Sequence, residues 1–262
     1  MKFFAFAASV VLATVLTGQP AAAEDQEPLI ILRDSGSYPP YDFRNEAGQY
    51  DGIHGNLLEK LAELTGTDYV VKDLPWKRAM AMVRTGQADI LMFVRKNPER
   101  EAYLDFVEGS PMSYVQHSYY VRRDRQEEIL FDGTVESLRP YVVGVMRGFS
   151  YGEPFDSEES LKKDPTDGSL TNLVKKLENG RVDISVLDLN IINYMKRTGE
   201  IVSDLQPVGL VSVPAGAYMA ISKESPNRER ALEFVRYIPW FKQTHHYREI
   251  LGRYQLPKDE NE

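Results

Sequence analysis

Residues 86–93, GQADILMF, and residues 180–187, GRVDISVL, are near copies of one short sequence, and this repeat decides the fold. The second copy stands 94 positions after the first. In each copy a glycine is followed by an aspartate, Asp89 or Asp183, and then by a short apolar run. Such a run indicates a buried strand of a parallel sheet. The glycine is typical of a helix end, because it enters the left-handed conformation without a Cβ clash.

An apolar stripe with helical spacing precedes each copy. Both stripes place apolar residues at i, i+3, i+4 and i+7, namely Trp76, Ala79, Met80 and Val83 in the first and Leu170, Leu173, Val174 and Leu177 in the second. This spacing puts one apolar face on a helix. The repeated unit is therefore helix, glycine, aspartate and buried strand, with the aspartate expected to hold the turn before the strand. Helix–glycine–strand units are common in α/β proteins, but the matched spacing favours two related α/β lobes.

The first 23 residues have the form of a secretory signal peptide. Lys2 is followed by an apolar run and then by three alanines before Glu24, the pattern of a cleaved secretion signal. A permanent membrane anchor is the alternative, but the run is short and interrupted. No cysteine follows it, which excludes a lipoprotein. We expect a secreted protein that begins near Glu24.

Composition excludes several classes of function. The chain contains no cysteine, which removes disulfides, thiolate catalysis and thiolate metal sites. Its net charge is −8, which argues against nucleic acid as a partner, because binding phosphates needs clustered Lys and Arg. The four histidines show no metal-ligand spacing, and no phosphate-binding GxxxxGK[ST] motif is present. We therefore expect neither a metal nor another cofactor.

The order of predicted elements indicates a chain that leaves the first lobe and returns to it. We predict a long strand over 112–121, a lobe crossing in the charged run 122–128, a helix over 156–163, a returning strand over 217–222 and a long helix over 227–241. These elements give a signal peptide over 1–23, a discontinuous first lobe of 24–121 plus 217–262, and a second lobe of 122–216. Two strands crossing between the lobes make a hinge, with a cleft between the lobes.

Taken in order, six phrases of the sequence resemble the bacterial extracellular solute-binding proteins of family 3, the polar amino-acid type. They are YPPYDF (38–43), DGIHGNLLEKLAELTG (51–66), PWKRAMAMVRTGQADILMF (75–93), NPEREAYLDF (97–106), VGVMRGFSYG (143–152) and GRVDISVLD (180–188). The resemblance covers about residues 29–252. It implies the two-lobed α/β fold of the type II periplasmic binding proteins, with two hinge strands and a ligand cleft that closes by a hinge motion.

The same resemblance implies a set of ligand-binding residues. It matches Arg100 to the family's carboxylate-binding arginine, Asp188 to its acid for the ligand's amino group, Tyr38 and Trp76 to its aromatic lid, and Ser150 to its hydroxyl. An arginine can hold a carboxylate with two parallel hydrogen bonds. Each match also has a plainer interpretation. Arg100 can pair with a neighbouring glutamate, Asp188 can cap the next helix, and Trp76 can be buried in the core.

The run between Asp89 and Arg100 departs from many amino-acid binders, which place small or hydroxyl residues there. Phe93, which we keep among the candidate ligand-binding residues, and Val94 offer no side-chain hydrogen bond, and Arg95 adds charge. The sequence therefore leaves open a more anionic or more aromatic ligand than a simple amino acid.

Enzymatic alternatives also remain open at this stage. Residues 148–152, GFSYG, match the G-x-S-x-G nucleophile elbow of α/β-hydrolases, with Ser150 followed by Asp188 and then by His245 or His246. A dehydratase-like lyase on the binding-protein scaffold and a ligand-sensing module are further alternatives. We expect a non-enzymatic, monomeric solute-binding protein that captures a small polar ligand, an amino acid or related carboxylate, for an inner-membrane ABC permease.

Overall fold

The computed structural model describes residues 27–254, so the expected signal peptide over 1–23 lies outside the described residues. The strands are β1 (Leu29–Asp34), β2 (Phe43–Arg44), β3 (Tyr50–Asp51), β4 (Tyr69–Leu74), β5 (Ile90–Arg95), β6 (Leu104–Asp105), β7 (Ser113–Val115), β8 (His117–Arg122), β9 (Val142–Met146), β10 (Lys162–Thr166), β11 (Ile184–Asp188), β12 (Leu205–Leu210) and β13 (Ala215–Ser222). The helices are α1 (Ile53–Thr65), α2 (Trp76–Arg84), α3 (Pro98–Glu101), α4 (Leu170–Glu178), α5 (Leu189–Arg197), α6 (Arg228–Arg236), α7 (Ile238–Lys242) and α8 (His245–Tyr254). Two short 3-10 helices span Arg123–Glu128 and Glu136–Leu138.

Two mixed sheets organise the chain in closely similar ways. The first has the order β4-β1-β5-β13-β6, with β7 also on β13, and the second has the order β10-β9-β11-β8-β12. In the first sheet β1 and β5 are parallel and β13 is antiparallel to β5. In the second, β9 and β11 are parallel and β8 is antiparallel to β11. Each repeat strand, β5 or β11, is thus central and pairs with a strand that has arrived from the other part of the chain.

The two repeat aspartates play the same structural part. Asp89 donates its backbone N–H to the carbonyl of Ile30 at 2.9 Å, and its Oδ2 accepts from the Ile30 N–H at 2.6 Å. Asp183 makes the same pair of hydrogen bonds with Val142, at 2.9 Å in both directions. Each side chain therefore extends the parallel ladder by one rung before the strand begins. The prediction that these aspartates hold the turn is confirmed.

The helices that precede the repeat strands also match the sequence pattern. α2 and α4 end two residues before Gly86 and Gly180, whose φ angles are 70° and 67°, so the predicted left-handed glycine at each helix end is confirmed. All four residues of the second stripe are buried. In the first stripe only Ala79 and Val83 are buried, because the start of α2 faces the space between the sheets.

Two predicted helices differ from the structure. Residues 156–163 do not form a helix, because Asp156 and Glu158 accept hydrogen bonds from nearby backbone and hydroxyl groups and hold turns instead. The predicted helix over 227–241 is two helices, since Pro239 in the first turn of α7 has no N–H to continue α6.

The predicted strand over 112–121 is interrupted at Gln116. Residues 113–115 pair with β13 in the first sheet, whereas residues 117–122 pair with β11 and β12 in the second. The chain therefore passes between the sheets at Gln116. The charged run 122–128, expected to be the crossing, instead ends β8 and forms the first 3-10 helix. The return passage falls at 211–214, between β12 and β13.

Within residues 27–254, no helix is long and apolar enough to cross a membrane.

The two repeat aspartates should differ in their contribution to stability. Asp89 is 2% exposed and also accepts from Ser225 Oγ at 2.5 Å, whereas the Asp183 side chain is 27% exposed. Replacing Asp89 by Ala leaves buried donors unpaired, so we expect Asp89→Ala to lower the free energy of unfolding by about 3 kcal/mol and Asp183→Ala by about 1 kcal/mol. Urea denaturation measures both values, with the exposed Asp68→Ala as the control. Equal losses for the two variants would contradict this assignment.

Candidate ligand-binding site

A cavity lies between the two sheets, at the carboxyl ends of β5, β9 and β11. All six residues predicted to bind ligand line it, namely Tyr38, Trp76, Phe93, Arg100, Ser150 and Asp188. The other lining residues are Arg95, Val115, His117, Met146, Phe149, Tyr151, Leu170, Val186, Ile191 and Ala217. The space open to the centre of a water molecule is about 50 Å³. The sequence therefore predicted which residues come together, and the cleft they form is narrow and largely aromatic.

Arg100 is a buried cation that faces this cavity. It is 6% exposed, lies in α3, and donates from Nη1 to the carbonyl of Arg95 at 2.8 Å and from Nη2 to the carbonyl of Gly148 at 3.3 Å. Its guanidinium carbon lies 5.3 Å from the centre of the Trp76 ring. The neighbouring glutamates pair elsewhere, Glu99 with Arg84 and Glu101 with Lys96. The plainer interpretation, in which Arg100 is a surface residue paired with a glutamate, is therefore wrong.

Arg95 is a second cation in the cavity, which the sequence analysis noted only as added charge. It ends β5 and donates from Nη1 to the carbonyl of Tyr151 at 2.7 Å and from Nη2 to Ser212 Oγ at 3.4 Å. Burial lowers the pKa of both Arg95 and Arg100 from its ordinary value. Because an arginine remains protonated in proteins, this shift reflects the free-energy cost of partly desolvating each positive charge.

Asp188 caps helix α5. Its Oδ1 accepts from the N–H groups of Asn190 and Ile191 at 2.9 Å, and its Oδ2 accepts from the N–H of Gln116 at 3.0 Å. The capping interpretation is confirmed, and the same carboxylate also fixes Gln116, where the chain passes between the sheets. The residue is 3% exposed, and burial raises its pKa to about 6 against the opposing effect of the three N–H groups.

Aromatic rings from both sheets meet across the cavity. Tyr38 donates from its hydroxyl to Asp34 Oδ2 at 2.5 Å, which holds its ring 6.0 Å from Phe93 and 5.8 Å from Phe149. Phe149 also lies 6.2 Å from Trp76. Trp76 is half-buried, so it serves both the core and the cavity wall. Sequence reasoning missed Phe149, although its position beside Ser150 in the glycine-bounded loop was a usable signal.

Phe93 has a strained backbone. Its φ angle is 59°, and among the described residues it is the one residue other than glycine with a positive φ angle. The register between β5 and β13 shifts at this point, so Met92 and Phe93 stand opposite Met219 alone, as in a β-bulge. A bulge re-aims side chains, and strain of this kind concentrates at functional sites. The geometry supports the place of Phe93 in the cavity wall.

The G-x-S-x-G pattern of residues 148–152 has a packing explanation. A Cβ added at Gly148 would lie 2.8 Å from Trp76 Cδ1, and one at Gly152 would lie 2.5 Å from Arg95 Nη2. Both glycines therefore make room for side chains that approach from α2 and from the end of β5. Ser150 donates from Oγ to Asp156 Oδ2 at 2.6 Å. This bond fixes the loop and gives the hydroxyl a carboxylate partner in place of a histidine.

The histidines are placed differently from the triad that the sequence order allowed. His245 and His246 both contact Glu249 on the exposed face of α8. The histidine at the cavity is His117, which sequence reasoning missed. It is 9% exposed, its ring lies edge-on to Tyr151 at 4.9 Å, and burial lowers its pKa to about 3. Among the described residues, no group of three or more side chains is arranged to hold a metal ion.

The raised pKa of Asp188 predicts how its contribution to stability varies with pH. Its pKa is about 6 in the folded chain against an ordinary value of 3.8, so stability is highest below pH 4 and falls as the pH rises through 6. Asp188→Asn removes this titration. Between pH 4 and pH 7.5 we expect the wild type to lose about 2.5 kcal/mol of unfolding free energy relative to the variant. Urea denaturation at several pH values checks this, and a pH-independent difference would contradict it.

Comparisons with known proteins give the family. The model of the bacterial extracellular solute-binding proteins, family 3, matches residues 30–198. A probable histidine-binding protein of Neisseria gonorrhoeae is 25% identical over 187 residues, which cover 68% of this chain and 67% of that protein.

Solved structures give the same fold. A mutant of ArgBP from T. maritima is similar with a TM-score of 0.70 and 21% identity, over 87% of this chain and 95% of that one. A histidine kinase sensor domain with similarity to periplasmic binding proteins has a TM-score of 0.72 and 21% identity, with the same coverage. The predicted type II periplasmic-binding-protein fold is confirmed. Since the family model matches well over half of this chain, the chain belongs to the bacterial extracellular solute-binding proteins, family 3.

Proposed function

We propose that the chain captures a small solute through a carboxylate held by Arg100, and that the ligand is enclosed between the two sheets. The observation that carries this proposal is a buried guanidinium, 6% exposed, that faces the cavity and has no carboxylate partner among residues 27–254. A ligand carboxylate would supply charge-assisted hydrogen bonds there. The histidine-binding relative and the arginine-binding neighbours support a carboxylate-bearing solute of amino-acid size.

Direct contacts between the sheets define the enclosing state. Arg95 contacts the carbonyl of Tyr151, Arg100 contacts the carbonyl of Gly148, and Asn190 Nδ2 donates to Tyr41 Oη at 2.8 Å. A ligand that touches both walls adds contacts only in this arrangement, so its binding stabilises it over an open one. The two passages at Gln116 and 211–214 are the proposed hinge. The proposed lobes follow the sheets, which moves the crossing from the predicted residue 122 to Gln116.

The proposed cellular role follows from the family and the N-terminus. The form of residues 1–23 supports secretion through a cleaved signal peptide, and family membership supports a bacterial extracellular location. We propose the periplasm as the location, a monomer as the functional state, and an inner-membrane ABC permease as the recipient of the ligand.

A dehydratase-like lyase is the second candidate function. Its supporting observation is Asp188, a carboxyl group at the cavity with a pKa near 6, which suits general acid–base catalysis. Against it, both carboxylate oxygens already accept from backbone N–H groups. If chromatography detects chemical turnover of a bound ligand, that result would favour the lyase over the binding protein.

Replacing Arg100 should abolish most ligand affinity while the fold persists. We expect the purified chain to show a higher melting temperature with at least one class among amino acids and mono- or dicarboxylates, because binding stabilises the native state. Arg100→Gln should then weaken that ligand at least about 100-fold in titration calorimetry, the loss typical of removing one side of a buried charge-assisted contact.

The control for this experiment is Arg248→Gln. Arg248 is an exposed arginine on α8, so its replacement removes one positive charge away from the cavity. Its affinity should match that of the wild type. Unchanged affinity in Arg100→Gln, with circular dichroism showing an intact fold, would exclude the carboxylate-binding role of Arg100.

A further inference from the structure

The charges around the cavity are unbalanced. Arg95 and Arg100 both line it, and in the described part of the chain neither has a carboxylate within 4.0 Å. The nearby acid is Asp156, whose carboxylate accepts from Ser150 Oγ and from the N–H groups of Tyr151 and Gly152 at 2.6–2.9 Å. Asp156 therefore moderates the field at the two arginines but is committed to the loop. The two guanidinium groups retain N–H donors beyond their backbone contacts.

Among the described residues that line the cavity, no carboxylate is left free for an ammonium group. Asp188 is the acidic residue in its lining, and its two oxygens accept from Gln116, Asn190 and Ile191. These bonds hold both the start of α5 and the passage between the sheets. An ammonium group would therefore meet a carboxylate that already accepts from three backbone N–H groups, in a cavity that two guanidinium cations also line.

His117 offers the cavity an uncharged polar side chain that can donate to an anion. Its side chain lines the cavity, is nine-tenths buried, and has no hydrogen-bond partner for Nδ1 among the described residues. Because burial holds its pKa near 3, the ring is neutral at physiological pH. A neutral imidazole has one N–H donor and one acceptor nitrogen, so His117 can donate to an anion without adding charge.

We propose that the physiological ligand is a dicarboxylate with an apolar body and without an ammonium group. One carboxylate binds Arg100, the second binds Arg95 with help from His117, and the aromatic wall of Tyr38, Trp76, Phe93 and Phe149 holds the body. This inference rests on the proposed function, because it names the class of solute for the same cavity. It goes further in assigning Arg95 as the residue that sets specificity for the second anionic group.

Two matched sets of probes test the class of ligand. Benzylmalonate, 3-phenylpropionate and phenylalanine share a skeleton and differ in one substituent, which is a carboxylate, a hydrogen or an ammonium group. Methylmalonate, propionate and alanine form the same series without the ring. Titration calorimetry of the purified chain should give an affinity for the dicarboxylate at least tenfold higher than for the monocarboxylate, with the ammonium compound weakest. The phenyl set should bind more tightly than the small set.

The possible results separate this inference from the proposed function. Tightest binding by an ammonium compound, or by arginine or histidine, would overturn the dicarboxylate and leave the solute-binding function standing. Equal affinities for the mono- and dicarboxylates would also overturn it. No binding by either set, by arginine, by histidine or by any common amino acid would overturn both proposals.

Variants of Arg95 test its assignment. Arg95→Gln should lower the affinity for the dicarboxylate at least tenfold more than the affinity for the monocarboxylate, so the preference between them collapses. A merely structural Arg95, acting through its contact with Tyr151, would lower both affinities by the same factor. Arg95→Glu should reverse the preference toward the ammonium compound. Arg248→Gln is the matched control and should leave the preference unchanged.

Discussion

The structure depends on main-chain hydrogen bonds between each repeat strand and a strand that the chain forms after it has passed over from the other sheet. β13 runs antiparallel to β5, and β8 runs antiparallel to β11, so each repeat strand is completed by a strand that reaches it from the other sheet. This exchange joins the sheets through two short passages, at Gln116 and 211–214. It also places the carboxyl ends of β5, β9 and β11 around one space, where ligands bind in open α/β sheets. The cavity is therefore a consequence of the topology.

Several residues of the cavity wall have a structural role and also face the cavity. Asp188 caps α5 and fixes Gln116 while it faces the cavity. The lack of side chains at Gly148 and Gly152 leaves room for Trp76 of α2 and Arg95 of β5. Arg95 and Arg100 donate to loop carbonyls across the cleft. Contact between the sheets thus uses the same side chains to which we assign recognition of a solute, and this is the coupling that a closing binding protein requires.

The sequence predicted most of the fold, because the repeated unit carries its own physics. Helical spacing, a left-handed glycine and an aspartate before an apolar run are local signals, and each of them reappears in the structure. The failures arose where longer-range contacts decide. The predicted helix over the acidic run after residue 155 is wrong, because the turn-forming hydrogen bonds of this run cannot be inferred from the spacing of its residues. Phe149 reaches the cavity from a loop, and His117 reaches it from the start of β8, directly after the passage at Gln116. Neither residue lies on a periodic face.

The contrast between the whole chain and its cavity bears on how an anion would be selected. The chain carries a net charge of −8, so its long-range field repels an anion and cannot steer it to the cleft. That field is screened within about 10 Å at ordinary ionic strength, whereas buried charges are screened much less. Arg95 and Arg100 act inside this distance, in partly buried surroundings that strengthen each contact. Selectivity for an anion would therefore arise at short range, from two desolvated guanidinium groups, and the rate of encounter would contribute little to it.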